Sequence, residues 1–161
     1  MIWIRAFVIG SLLSVLEAHK QCSQMIRWGN LYKALTGMST DISGVCAPHY
    51  KIDSLCDPAQ MLNQVELNAV LLVDIMKKAE SIYRKNPNPE NLIQGLKHTQ
   101  HTLTPCAHHA HDHEPVTTCF NKLETFIQDN MAHAGCAWEI VNARVRELLQ
   151  RLEKRTLRRR R

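Results

Sequence analysis

Residues 62–83 read LNQVELNAVLLVDIMKKAESIY, and the reading of this stretch decides the fold class. Leu62, Val65, Ala69, Leu72, Met76, Ala79 and Tyr83 recur at steps of three and four. Side chains so spaced return to one side of an α-helix, so they draw a single apolar stripe over about six turns. Asp57 offers an N-cap oxygen ahead of the stripe. Pro58 suits the first helical position, where a missing N–H is no loss. Pro87 and Pro89 end the pattern. One continuous helix is therefore expected between the Asp57 cap and these prolines.

Moving toward the C-terminus, Asn88, Pro89 and Glu90 repeat the start signal with an acid in the first turn. A helix over about 89–104 carries Leu92, Leu96, Thr99 and Leu103, and Pro105 stops it. A loop from Cys106 to Glu114 follows. Val116, Phe120, Leu123, Ile127 and Met131 form the next stripe, which Gly135 is expected to close as a C-cap. The last helix carries Trp138, Val141, Val145, Leu148 and Leu152. Toward the N-terminus, Met25, Trp28, Tyr32 and Leu35 predict a helix over about 21–38. Residues 39–57 hold turn formers and two cysteines without a period. The chain thus reads as all-α, with five helices, one long first connection and no internal repeat. A long first crossover marks up-up-down-down bundles, because parallel neighbours need a connection as long as the bundle.

The 161 residues suit one domain. With 45% apolar and 22% charged residues, wholesale disorder is not expected. Aromatics are only 6%, so the core must be mostly aliphatic. Met1 to Ala18 read as a signal peptide: Arg5 is the basic end, Ala6 to Leu16 the apolar run, and Ala18 the small residue at the cut. The run is too short to cross a membrane, which takes about 20 apolar residues. The expected organisation is residues 1–18 as signal, 19–157 as the helical domain and 158–161 as a basic tail, in a secreted protein. Arg5 and Glu17 cancel, so the net charge of +5 stays with the mature chain. All six cysteines also stay, and an even set is expected to pair in the oxidising secretory route. Spacing alone does not choose among fifteen connectivities. No Cys-x-x-Cys pair is present to build a zinc knuckle.

Two segments carry unusual chemistry. His108, His109, His111 and His113, with Asp112, form a dense imidazole run able to bind zinc or copper. Nothing in the sequence fixes a geometry for it, so a solvated polar loop without a resident metal is expected. The last eleven residues hold seven cations, Arg151, Lys154, Arg155 and Arg158 to Arg161, against one acid, Glu153. Arg158, Arg159, Arg160 and Arg161 are candidates for attraction to a polyanion such as a sulfated glycan. Cations that merely steady a helix C-terminus are the plainer alternative. Specific nucleic-acid binding and membrane insertion are not expected. No Gly-rich phosphate loop, G-x-S-x-G or H-E-x-x-H occurs, and paired cysteines leave no thiol nucleophile. Neither an enzyme nor a cofactor is expected.

Gly135-Cys136-Ala137-Trp138-Glu139-Ile140-Val141, followed by Arg144, Val145 and Arg146, resembles the start of the last helix of type I interferons. The stretch from Val65-Glu66-Leu67, with Leu96, His98, Thr99 and the end at Cys106, is similar to lambda-type interferons. Phe120-Asn121-Lys122-Leu123 resembles interleukin members of the same class. The chain is therefore similar to the class II helical cytokines, and within them to an interferon of divergent type. The organisation matches over nearly all of the mature chain, while the last helix alone carries a fairly specific motif.

The resemblance implies an up-up-down-down bundle stapled by disulfides. It implies a protein that bridges two class II cytokine receptor chains and starts JAK-STAT signalling and an antiviral state; one compact bundle is itself expected to be a monomer. It implies the bond Cys22–Cys106, with Cys46–Cys136 and Cys56–Cys119 beside the exchanged pairing Cys46–Cys119 and Cys56–Cys136. The face of the last helix opposite Val145 carries Glu139, Ala143, Arg146, Glu147 and Gln150, with Asn142 at one edge. The resemblance assigns the primary receptor to the first helix, the long connection and this face of the last helix, so these residues become candidates for it, joined by His49, Tyr50, Lys51 and Asp53 in the long connection. Arg27, Gln94 and Lys97 are candidates for the second receptor. Trp138 belongs to the core stripe. An interleukin-type regulator is the alternative within the class. A cationic, His-rich host-defence or metal-binding protein is the alternative outside it.

Overall fold

Residues 22, 24–38, 46 and 55–158 are described by a computed structural model. The expected signal segment, the loop candidates His49, Tyr50, Lys51 and Asp53, and Arg159, Arg160 and Arg161 lie outside the described residues. Among the described residues the α-helices are α1 Trp28–Thr36, α2 Pro58–Asn63, α3 Ala69–Tyr83, α4 Glu90–Leu103, α5 Glu114–Asp129 and α6 Ala134–Arg158. Short 3-10 turns, Thr104–Cys106 and Met131–His133, precede α5 and α6. No strand occurs among the described residues.

The stripe of residues 62–83 is divided between α2 and α3. Asp57 does cap α2, its carboxylate accepting from the N–H groups of Ala59 at 2.8 Å and Gln60 at 3.3 Å. The helix then stops at Gln64. Asn68 starts α3 afresh: its backbone is extended, and its side-chain oxygen accepts from Leu71 N–H at 2.8 Å. An extended residue cannot sit inside a continuous helix, so one predicted helix becomes two. The apolar spacing survives because Leu62, Leu67 and Ala69 are still turned inward on both sides of the break.

α3 is the central element. Leu71, Leu72, Val73, Asp74, Ile75 and Met76 are buried in succession, so the helix is covered on nearly every side. It packs on α4 and α5. α4 packs on α1, α1 on α6 and α6 on α5, while the short α2 lies against α5 and α6. One continuous, mostly aliphatic core results.

Two predicted ends move. The helix expected over 21–38 is interrupted after residue 24, and α1 begins at Trp28. Met25 is 62% exposed, outside the stripe it was expected to begin. α5 ends at Asn130, whose side-chain amide donates to the Phe126 carbonyl at 2.8 Å. Gly135 therefore does not close α5; it lies in the first turn of α6, and no described glycine has a positive φ. The helix stops one turn earlier because an asparagine amide can satisfy a terminal carbonyl without a left-handed glycine.

Three disulfides join Cys22 to Cys106, Cys46 to Cys136 and Cys56 to Cys119. The exchanged pairing is not formed. The first bond fixes the segment before α1 to the end of α4. The second fixes the long connection to the first turn of α6, and the third fixes the entry of α2 to α5. No described helix is long and apolar enough to cross a membrane.

Candidate functional site

α6 presents its outer ridge because the inner side is fully used. Trp138, Val141, Val145, Leu148, Leu149 and Leu152 are buried. Glu139, Ala143, Arg146 and Glu147 are left half-buried and Gln150 exposed, a ridge running along the helix. Glu147 is held in place: Arg144 donates to one carboxylate oxygen at 3.2 Å and Arg151 to the other at 2.9 Å. With an arginine on each oxygen, both acceptors of the Glu147 carboxylate are engaged by charge-assisted hydrogen bonds.

Asn142 is not part of that ridge. It is 1% exposed, and its position at an edge of the apolar stripe places it inside the bundle. Its oxygen accepts from Tyr83 O–H at 2.7 Å, and its amide donates to the Met38 carbonyl at 3.1 Å. The Tyr83 ring also packs on Trp138, with centroids 5.6 Å apart. Burial pushes ionisation of the Tyr83 phenol well above its ordinary range, so it remains a neutral donor. Asn142 thus joins α6 to α3 and to the end of α1. A role in contacting a partner is withdrawn for this residue, because a partner would not reach it.

α1 lies beside the α6 ridge. Tyr32 O–H donates to Glu153 at 2.8 Å across the contact. Burial, then the hydrogen bond to Glu153 and its charge, raise the Tyr32 ionisation above the ordinary phenol range. Glu153, read from sequence as the acid offsetting the basic tail, is therefore engaged elsewhere. The Cys46–Cys136 bond brings the long connection to the same helix. Three segments distant in sequence meet around α6.

The second set of candidates is not brought to one spot. Arg27, Gln94 and Lys97 are all exposed. Arg27 flanks a cleft of about 200 Å³ between α1 and α4, with Asn30, Gly95 and His98. Lys97 lies on the other flank of α4, close enough to Glu80 of α3 to act on it by charge. Burial resists ionisation of Glu80. Hydrogen bonds from Gln100 and Arg84, with the charges of Arg84 and Lys97, outweigh it and hold the carboxyl below its ordinary range.

The histidine loop is less free than expected. His113 donates its backbone N–H to Asp74 at 2.8 Å, and its ring Nδ1 lies 3.0 Å from the same oxygen. Asp74 is 4% exposed, and the His113 side chain is largely covered. The expectation of a wholly solvated loop is corrected at this residue, because a buried carboxylate on α3 needs a donor. Asp74 carries the sequence signal for this contact: a lone acid inside an unbroken apolar run needs a buried partner. His108, His109 and His111 are exposed, and Lys78 meets Asp112 at 3.6 Å. Among the described residues no three His, Cys, Asp or Glu side chains converge to hold a metal ion.

Arg155 also leaves the set of tail cations. Its guanidinium donates to the Leu62 carbonyl at 2.6 Å and to the Asn63 side chain at 2.8 Å, closing the C-terminus of α2. Arg158 is exposed at the end of α6. No protein-family model, curated protein or solved structure matches the chain.

Proposed function

We propose that this chain is a secreted, interferon-like cytokine whose helices run up-up-down-down. It binds and bridges two class II cytokine receptor chains, and their juxtaposition starts JAK-STAT signalling and an antiviral state. The observation that carries this reading is the convergence around α6. The resemblance assigns the primary receptor to the first helix, the long connection and the last helix. In the fold α1 packs beside α6, and Cys46–Cys136 ties the connection to its first turn. At Cys46 the covalent bond to α6 braces the surface beside α1, and bracing of this kind lowers the cost of binding. The three disulfides and the absence of a membrane-crossing helix among the described residues are consistent with an extracellular location.

Within the ridge, Arg146 and Glu147 are the central contacts, with Glu139, Ala143 and Gln150 around them. The second receptor meets α4 and the residues just before α1, where Arg27, Gln94 and Lys97 are exposed at separate places. Chemistry plays no part in this mechanism: the protein acts by holding two chains together.

The test applies the purified, oxidised chain at nanomolar concentration to cells of its source species. STAT tyrosine phosphorylation and antiviral-gene induction are read within an hour. The expected result is a receptor-dependent response that falls at least about tenfold in potency for Arg146→Ala with Glu147→Ala, as for the loss of interface contacts worth about 1.4 kcal/mol or more. STAT phosphorylation without antiviral genes would replace the interferon reading by the interleukin-type one. No response from folded protein across several cell types would overturn both.

A further inference from the structure

We propose that one flank of α6, formed by Arg144, Arg151, Lys154 and Arg158, binds a linear sulfated glycan, with Glu147 as a built-in competitor for it. The spacing of 144, 147, 151, 154 and 158 is three or four residues throughout, so these side chains share one stripe. At 1.5 Å per residue the cations extend over about 21 Å of helix. That is a line of charge, suited to a chain-like polyanion more than to a single ion.

The structure sorts the cations that the sequence only counted. Arg155 is spent on α2 and is not available. Glu153 lies on the α1 side of the helix, where it accepts from Tyr32, and its carboxylate is not paired with a cation of the stripe. Glu147 is the carboxylate that remains on this flank, and it occupies Arg144 and Arg151 together. Arg151 is 44% exposed even so, and Lys154 and Arg158 are exposed. Arginine's planar fork suits the paired oxygens of an oxyanion group.

The surroundings favour a sulfated glycan over other polyanions. An amphipathic helix that lies on lipid needs a free apolar face, and the apolar face of α6 is buried in the bundle. Single-stranded nucleic acid is held by stacking on aromatic rings, and the stripe has none. The choice also rests on the extracellular location of the proposed function. The site itself needs no receptor. Because Glu147 belongs to both surfaces, glycan binding and binding of the primary receptor are expected to interfere.

The test uses the full oxidised chain and immobilised heparin as the probe, at 0.15 M salt and in a salt series. The wild type is expected to bind, and to weaken as salt rises because bound counterions are exchanged. The triple variant Arg151→Gln, Lys154→Gln, Arg158→Gln is expected to lose at least about tenfold in affinity. Glu147→Gln is expected to bind a few-fold more tightly, since it releases Arg144 and Arg151. Lys77→Gln, an exposed lysine on α3, is expected to match the wild type. Circular dichroism and thermal unfolding check that each variant folds. A triple variant that binds like the wild type would overturn the proposal. So would loss of all binding on removing residues 159–161 alone with the stripe intact. Tighter binding to anionic phospholipid vesicles or to single-stranded DNA at equal salt would overturn the choice of ligand. Weaker binding by Glu147→Gln would overturn its role as competitor. None of these readouts involves the receptor, so this proposal and the cytokine reading fail independently.

Discussion

Asn142 stands between the fully buried phenol of Tyr83 and the backbone carbonyl of half-buried Met38. Its amide supplies an acceptor to Tyr83 and a donor to Met38. Removing it strands the buried Tyr83 hydroxyl, which costs about 1–3 kcal/mol when left unpaired, and takes the hydrogen bond from the Met38 carbonyl, worth about 1 kcal/mol. Asn142→Ala is therefore expected to lower unfolding free energy by about 2–4 kcal/mol in urea titration at neutral pH. Tyr83→Phe removes one hydroxyl and leaves the Met38 bond, so its cost should be about 1 kcal/mol. Equal costs for the two variants, or a loss under 1 kcal/mol for the first, would show that the residue does not bridge the helices. Periodicity placed Asn142 at the edge of the exposed face. An asparagine at such an edge points either way, and the position of Tyr83, far along the chain, decides it.

The divided stripe belongs to the scale of elements. Side-chain oxygens of Asp57 and Asn68 begin α2 and α3, and between them α2 ends at Gln64, whose backbone N–H donates to the Met61 carbonyl at 3.1 Å. Losing an asparagine cap costs about 1 kcal/mol. Asn68→Ala should lower the denaturation midpoint accordingly, while Asn68→Asp should keep most of the stability. An unchanged midpoint for the alanine variant would mean that packing alone sets the start of α3. The cap residue was visible in the sequence. The three-and-four spacing runs straight across the break and masks it, because spacing records which face is apolar but not whether the backbone is continuous. Arg155 shows the converse. Nothing local distinguishes it from its basic neighbours, and its engagement with α2 depends on a contact across 93 residues.

At the scale of the molecule, the disulfides close stretches of 84, 90 and 63 residues. Constraining an unfolded chain over such lengths is worth about 2–4 kcal/mol per bond. Cys56→Ser with Cys119→Ser should therefore lower unfolding free energy by about that amount while the helices persist. Peptide mapping without reductant should recover the three pairs, and a Cys46–Cys119 peptide would contradict this fold. The sequence by itself determined that the chain is helical, that its core is aliphatic, and which side of most helices faces inward. These follow from short-range rules: spacing, caps and prolines act within a few turns. Tertiary structure decided which cysteines meet, that Asp74 holds His113, that Asn142 lies inside, and that Arg155 and Glu153 are withdrawn from the basic end. Each depends on two groups far apart in the chain and close in space. Their burial and pairing are properties of the packed helices, which no local pattern encodes.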